Sequence, residues 1–70
     1  MQLSARNQLK GTVKDITLGN VVAEIIVALP DGQEVVALIT YRSSESLKLS
    51  IGDAVTVIIK STDVILAKED

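Results

Sequence analysis

Seventy residues with a formal net charge of −2 make one domain at most, and that balance argues against a general polyanion binder, which carries a basic surface excess. There is no cysteine and no histidine, so disulfides, thiolate metal centres and the commonest transition-metal ligand are excluded. A core in a chain below roughly 70–80 residues supplies no more than ~3–5 kcal/mol, which leaves self-association as the available supplement.

The chain reads mostly as strand. Leu9 to Ile16 alternates loosely, with Leu9, Gly11, Val13 and Asp15 on one side and Lys10, Thr12, Lys14 and Ile16 on the other. Gly19-Asn20 signals a turn. Val21 to Leu29 is a β-branched-rich strand. Pro30-Asp31-Gly32 is a turn in which proline presets φ and glycine supplies positive φ, so Gln33 to Tyr41 returns as the second arm of a hairpin. "SSESLKLSIG" breaks the β pattern; Ser43 is the expected cap of a short helical turn, with Glu45 in its first turn, Leu47, Leu49 or Ile51 packing inward and Gly52 ending it. Asp53 to Lys60 is a fourth strand, "STD" a tight polar connection, Val64 to Ala67 a short fifth strand, and "KED" a solvated tail. No linker, repeat or low-complexity run divides the chain, so residues 1–70 form a single domain. Five short strands with one helical turn between the third and fourth predict an all-β, OB-like Greek-key barrel.

A half-solvated antiparallel strand alternates apolar and polar residues. These strands do not. Val21, Ala23, Ile25, Val27 and Leu29 share one face, while Val22, Ile26 and Ala28 lie opposite, interrupted by Glu24. Val35, Ala37, Ile39 and Tyr41 are backed by Val36 and Leu38; Val55, Val57 and Ile59 by Ala54 and Ile58. A chain this short cannot cover both faces of its own sheet. Large exposed apolar patches are rare on monomers, so the pattern predicts partner subunits.

Hydrophobic residues make up 47% of the chain, but Tyr41 is the only aromatic. Single-strand nucleic-acid binders stack bases on aromatics, so this composition and the excess of nine acids over seven bases argue against a nucleic-acid partner. No apolar run approaches the ~20 residues of a membrane helix, and the start lacks the basic-then-apolar layout of a signal peptide; the expectation is a cytoplasmic protein with no membrane partner. The carboxylates are scattered and the four glycines stand far apart, so neither a carboxylate pair nor a phosphate loop is in view, and no enzyme is expected.

Two donor clusters remain. Ser4-Ala5-Arg6 offers a hydroxyl, a guanidinium and backbone N–H groups; Lys60-Ser61-Thr62 offers an ammonium, two hydroxyls and turn N–H groups. A tetrahedral dianion carries only acceptors and needs fixed donors and positive charge. The same residues also have plainer readings: Arg6 as a solvated terminal charge, Lys60 as an edge-strand gatekeeper, and "STD" as turn chemistry.

"SARNQLKG" (Ser4 to Gly11) followed by "IIKSTDVILA" (Ile58 to Ala67), with "VVAEIIV" and "SSESLKLSIGDAV" between them in order, resembles the molbindin family over nearly the whole chain. These are the small molybdate-binding Mop proteins, also called molybdenum-pterin-binding proteins, whose domain recurs as the TOBE or Mop module. The resemblance implies a five-stranded OB-like barrel, assembly into a homohexamer as a trimer of dimers with strand exchange, and molybdate or tungstate bound as the oxyanion between subunits with no catalytic cofactor. It assigns Ser4, Ala5 and Arg6 to one half of an interfacial site and Lys60 and Ser61 to the other, and it points to Gly19, Asn20, Val21 and Val22 for a second site near the three-fold axes. The function implied is molybdenum storage, buffering or homeostasis. The rivals are an OB-like nucleic-acid-binding module and a structural or regulatory oligomerisation module without ligand.

Overall fold

In a computed structural model, residues 3–69 are described. The elements are β1 (Asn7–Leu18), β2 (Val22–Ala28), β3 (Glu34–Thr40), α1 (Tyr41–Ser46), β4 (Ala54–Ile59) and a single 3₁₀ turn at Ser61–Asp63. The strands form one antiparallel, curled sheet in the order β3-β2-β1-β4, with α1 between the third and fourth strands as the sequence predicts. No helix among the described residues is long and apolar enough to cross a membrane.

β1 is the spine. Its first half, Asn7 to Thr12, pairs with β4; its second half, Thr12 to Leu18, pairs with β2. At this changeover a Cβ on Gly11 would stand 2.6 Å from Val27 Cγ1 and 2.7 Å from the Ala28 carbonyl oxygen, so glycine permits the close crossing. The register then shifts between Val13 and Asp15, a bulge centred on Lys14. The bulge explains the loose alternation of this strand. Strict period two sets Val13 and Ile16 on opposite faces, whereas the extra residue lets both reach the core. Lys14 instead points to solvent and pairs with the Glu34 carboxylate, which holds its ammonium pKa above the usual lysine range.

The core is Val13, Ala23, Ile25 and Val27, with Ile16, Ala37, Ile39, Leu49, Val55 and Val57 packed against it. The β2–β3 hairpin closes as expected: Gly32 has φ 90°, and the Asp31 carboxylate accepts from the Gln33 N–H at 3.1 Å. The outer face is left apolar and open at Val22, Val36, Leu38 and Ile58.

Two expectations are corrected, and a choice among three residues is decided. The cap of α1 is Thr40, not Ser43: the Thr40 hydroxyl accepts from the Ser43 N–H at 3.0 Å, so β3 ends before Tyr41 and Glu45 falls in the second half of the helix. Of the three inward candidates only Leu49 packs on the core; Leu47 and Ile51 are exposed. The reason is the helix exit. Lys48 N–H donates to the Glu45 carbonyl at 3.1 Å and Leu49 N–H to that of Ser44 at 3.3 Å, a Schellman turn that swings Leu49 inward while Lys48 takes φ 51°.

The second correction is the fifth strand. Val64 to Ala67 pairs with nothing among the described residues, and Ile65 and Leu66 are 92% and 89% exposed. Its β-branched pattern records a preference, but a strand also needs an edge, and both edges of the sheet, β3 and β4, stay unpaired. Between them opens an apolar cleft of about 630 Å³ lined by Ile25, Ala37, Ile39, Leu49, Val55 and Val57. The radius of gyration, 13.1 Å, exceeds the roughly 11 Å of a compact chain this long. Of the "KED" tail, Lys68 and Glu69 have no regular structure and Asp70 lies outside the described residues.

Candidate functional site

The last rung of the β1–β4 ladder is Asn7 opposite Ile59. Ser4, Ala5 and Arg6 lead directly into it, and Lys60, Ser61 and Thr62 leave directly from it. The two donor clusters therefore flank the same rung, Arg6 as the residue before Asn7 and Lys60 as the residue after Ile59.

Each half has a local reason for its shape. Ser4 sits in a bend, Ala5 is half-buried and Arg6 is exposed. The Gln8 side-chain amide donates back to the Ala5 carbonyl at 3.2 Å. On the other side Lys60 is extended (φ −63°, ψ 139°) and enters the 3₁₀ turn. There the Asp63 N–H donates to the Lys60 carbonyl at 2.9 Å and the Val64 N–H to that of Ser61 at 3.4 Å. The Ser61 and Thr62 amides open the turn and have no backbone acceptor among the described residues. Neither Arg6 nor Lys60 is paired with a carboxylate among the described residues.

Together the two segments offer two cations without a carboxylate partner among the described residues, the Ser4, Ser61 and Thr62 hydroxyls, and turn amides. They contain no nucleophile–base pair. Among the described residues there is no group of three or more metal-ligating side chains. This is chemistry for holding an anion, which needs donors and no acceptors. The turn amides of Lys60-Ser61-Thr62 are legible in the sequence; Gln8 is not, because its contact with Ala5 depends on a bend that periodicity does not reveal.

Gly19, Asn20 and Val21 form the β1–β2 connection, at the far end of β1, and Val22 opens β2. The two candidate regions are thus separate in one chain. The Gly19 N–H is consumed by the Val22 carbonyl at 2.8 Å, and the Val21 carbonyl accepts from the Tyr41 N–H at 2.7 Å. The Asn20 and Val21 amides make no backbone hydrogen bond among the described residues, so these two are the turn's available donors.

Residues 3–66 match the TOBE domain family. Molybdenum-pterin-binding protein 3 of Clostridium pasteurianum is 42% identical over 66 residues, covering 94% of this chain and 97% of that protein. Molybdenum-pterin-binding protein MopA of Rhodobacter capsulatus is 45% identical over 67 residues, but the chain spans only 25% of its length. A solved molybdate-binding protein from Sporomusa ovata superposes with a TM-score of 0.92 at 43% identity, covering 97% of this chain and all of that one. The cytoplasmic molybdate-binding protein ModG, solved with molybdate bound, superposes at 0.89 with 42% identity over 93% of this chain and 46% of its own. An OB-like sheet with a donor cluster at the β1–β4 ladder end, matched over nearly its full length, places this chain in the family of TOBE-domain, molybdenum-pterin-binding proteins.

Proposed function

We propose that the chain binds molybdate, and tungstate by the same chemistry, as an intact oxyanion, and serves intracellular molybdenum storage, buffering or homeostasis. The observation that supports this is the Asn7–Ile59 rung, from which the Ser4-Ala5-Arg6 and Lys60-Ser61 segments both extend. In the proposed site Lys60 and Arg6 offset the charge of the dianion, while the Ser4 and Ser61 hydroxyls and backbone amides take its oxygens. Selectivity against phosphate follows from donor-only chemistry: hydrogen phosphate carries a proton that needs an acceptor, whereas molybdate at neutral pH carries none. Sulfate also carries none, so its rejection rests on cavity size and donor placement.

The proposed working form is a homohexamer, a trimer of dimers. Its support is the exposed apolar surface at Val36, Leu38, Ile65 and Leu66, together with the two open sheet edges. In this assembly the Asn20 and Val21 amides of the β1–β2 connection supply a second anion site near the three-fold axes, with Gly19 shaping the turn and Val22 closing it.

Calorimetric titration with molybdate, tungstate, sulfate and phosphate, paired with native mass spectrometry, tests the reading. Molybdate and tungstate should bind and phosphate should not. Lys60→Ala should weaken molybdate binding at least tenfold, the order expected when a hydrogen bond to a charged group, about 1.5–3 kcal/mol, is removed. Unchanged affinity in Lys60→Ala would take the site away from this ladder end. Hexamers that bind no oxyanion would favour a purely structural module.

A further inference from the structure

We propose that Gln8 is a positioning residue for the oxyanion site: its side-chain amide holds the Ala5 carbonyl away from the anion and so presents the Arg6 N–H to it. The proposal rests on the oxyanion reading above and deepens it.

The geometry is simple. The Gln8 backbone is fixed in the ladder opposite Ile58, so its side chain extends from an anchored point. Its Nε2 donates to the Ala5 carbonyl at 3.2 Å. No peptide in the described chain is cis, and in a trans, planar peptide the C=O and the following N–H point in opposite directions. Pinning the Ala5 carbonyl toward Gln8 therefore aims the Arg6 N–H the other way. That N–H has no backbone acceptor among the described residues.

The alternative orientation is damaging. Ala5 and Arg6 lie outside the strand, so no ladder bond restrains their shared peptide. A flip of that peptide would turn a carbonyl oxygen, an acceptor, toward an anion that has only acceptors. The Gln8 bond biases the free protein toward the competent orientation. When only a fraction of molecules is competent, apparent affinity falls by that fraction. A hydrogen bond of ordinary net worth then corresponds to roughly a three- to tenfold effect on binding.

The test uses the assembled full-length protein, titrated with molybdate at two salt concentrations, as wild type, Gln8→Ala, Gln8→Arg and Lys60→Ala. Gln8→Ala should bind roughly three- to tenfold more weakly with the salt dependence of wild type, because no charge has been removed. Lys60→Ala should lose affinity and flatten the salt dependence. In NMR spectra of unliganded Gln8→Ala, the Arg6 amide should broaden or double while the ladder amides of Lys10 and Thr12 stay in place, a change that general loosening of the sheet would not confine to Arg6. Gln8→Arg keeps a donor for the Ala5 carbonyl and should restore a single Arg6 resonance, which also decides the matter if Gln8→Ala assembles poorly. Affinity of Gln8→Ala within twofold of wild type, alongside a weakened Lys60→Ala, overturns the role of Gln8 and leaves the oxyanion reading standing. A wild-type protein that binds no molybdate overturns both.

Discussion

Lys48 carries a cost that its neighbours explain. It occupies the left-handed position of the Schellman turn, φ 51°, where an L side chain crowds its own carbonyl and glycine does not. Its backbone is held there by the Glu45 carbonyl and by Leu49, whose burial against the core fixes the exit of α1. Lys48→Gly should therefore stabilise the fold, by about 0.5–1 kcal/mol, read from urea unfolding at fixed protein concentration. A loss of stability would mean that the lysine side chain contributes more than its backbone costs. At this scale the donors of the candidate site were legible by type alone, and the same residues read equally as a solvated charge, an edge lysine and turn chemistry until the family resemblance singled them out. The helix cap was less legible. Thr40 and Ser43 are both good capping residues, and only the hydrogen bond from the Ser43 N–H to the Thr40 hydroxyl decides between them.

Among the elements, β2 and β3 could be read directly because both are runs rich in β-branched and aliphatic residues and their turn carries its own signature in Pro30-Asp31-Gly32. β1 could not, since a bulge shifts the phase of a strand without marking the sequence: Val13 and Ile16 look like opposite faces until Lys14 is taken out of the count. Val64 to Ala67 shows the complementary failure. Its strand propensity is plain, but pairing is a property of two strands, and within one chain it finds no edge. Its side chains then serve as a clean probe. Ile65 and Leu66 are almost fully exposed in the single chain, and such surface substitutions usually change stability by no more than about 0.5 kcal/mol. Ile65→Asp with Leu66→Asp should nonetheless lower the subunit number in native mass spectrometry and in size-exclusion chromatography. A full-sized assembly from the double variant would exclude this segment from the interfaces.

The molecule as a whole exposes 5914 Å², against about 4,200 Å² for a compact monomer of 7.5 kDa. Val36, Leu38, Ile65 and Leu66 are among the exposed apolar residues on which the proposed self-association rests. The pairing of Asn7 with Ile59 has a further consequence at this scale. It joins segments near the two ends of the chain, so an anion held at the proposed site would act as a removable cross-link across almost the full length of the polypeptide. In the unfolded chain those donors are far apart and hold nothing. Ligand occupancy then becomes a measure of whether the entire sheet is closed. Molybdate at a hundred times its dissociation constant should add about 2.7 kcal/mol per site to the stability of the folded state. Thermal unfolding should shift upward accordingly in wild type and much less in Lys60→Ala, with phosphate leaving both unchanged. A protein of this design would be most resistant to unfolding when its store is full, and an emptied copy would be the first to come apart.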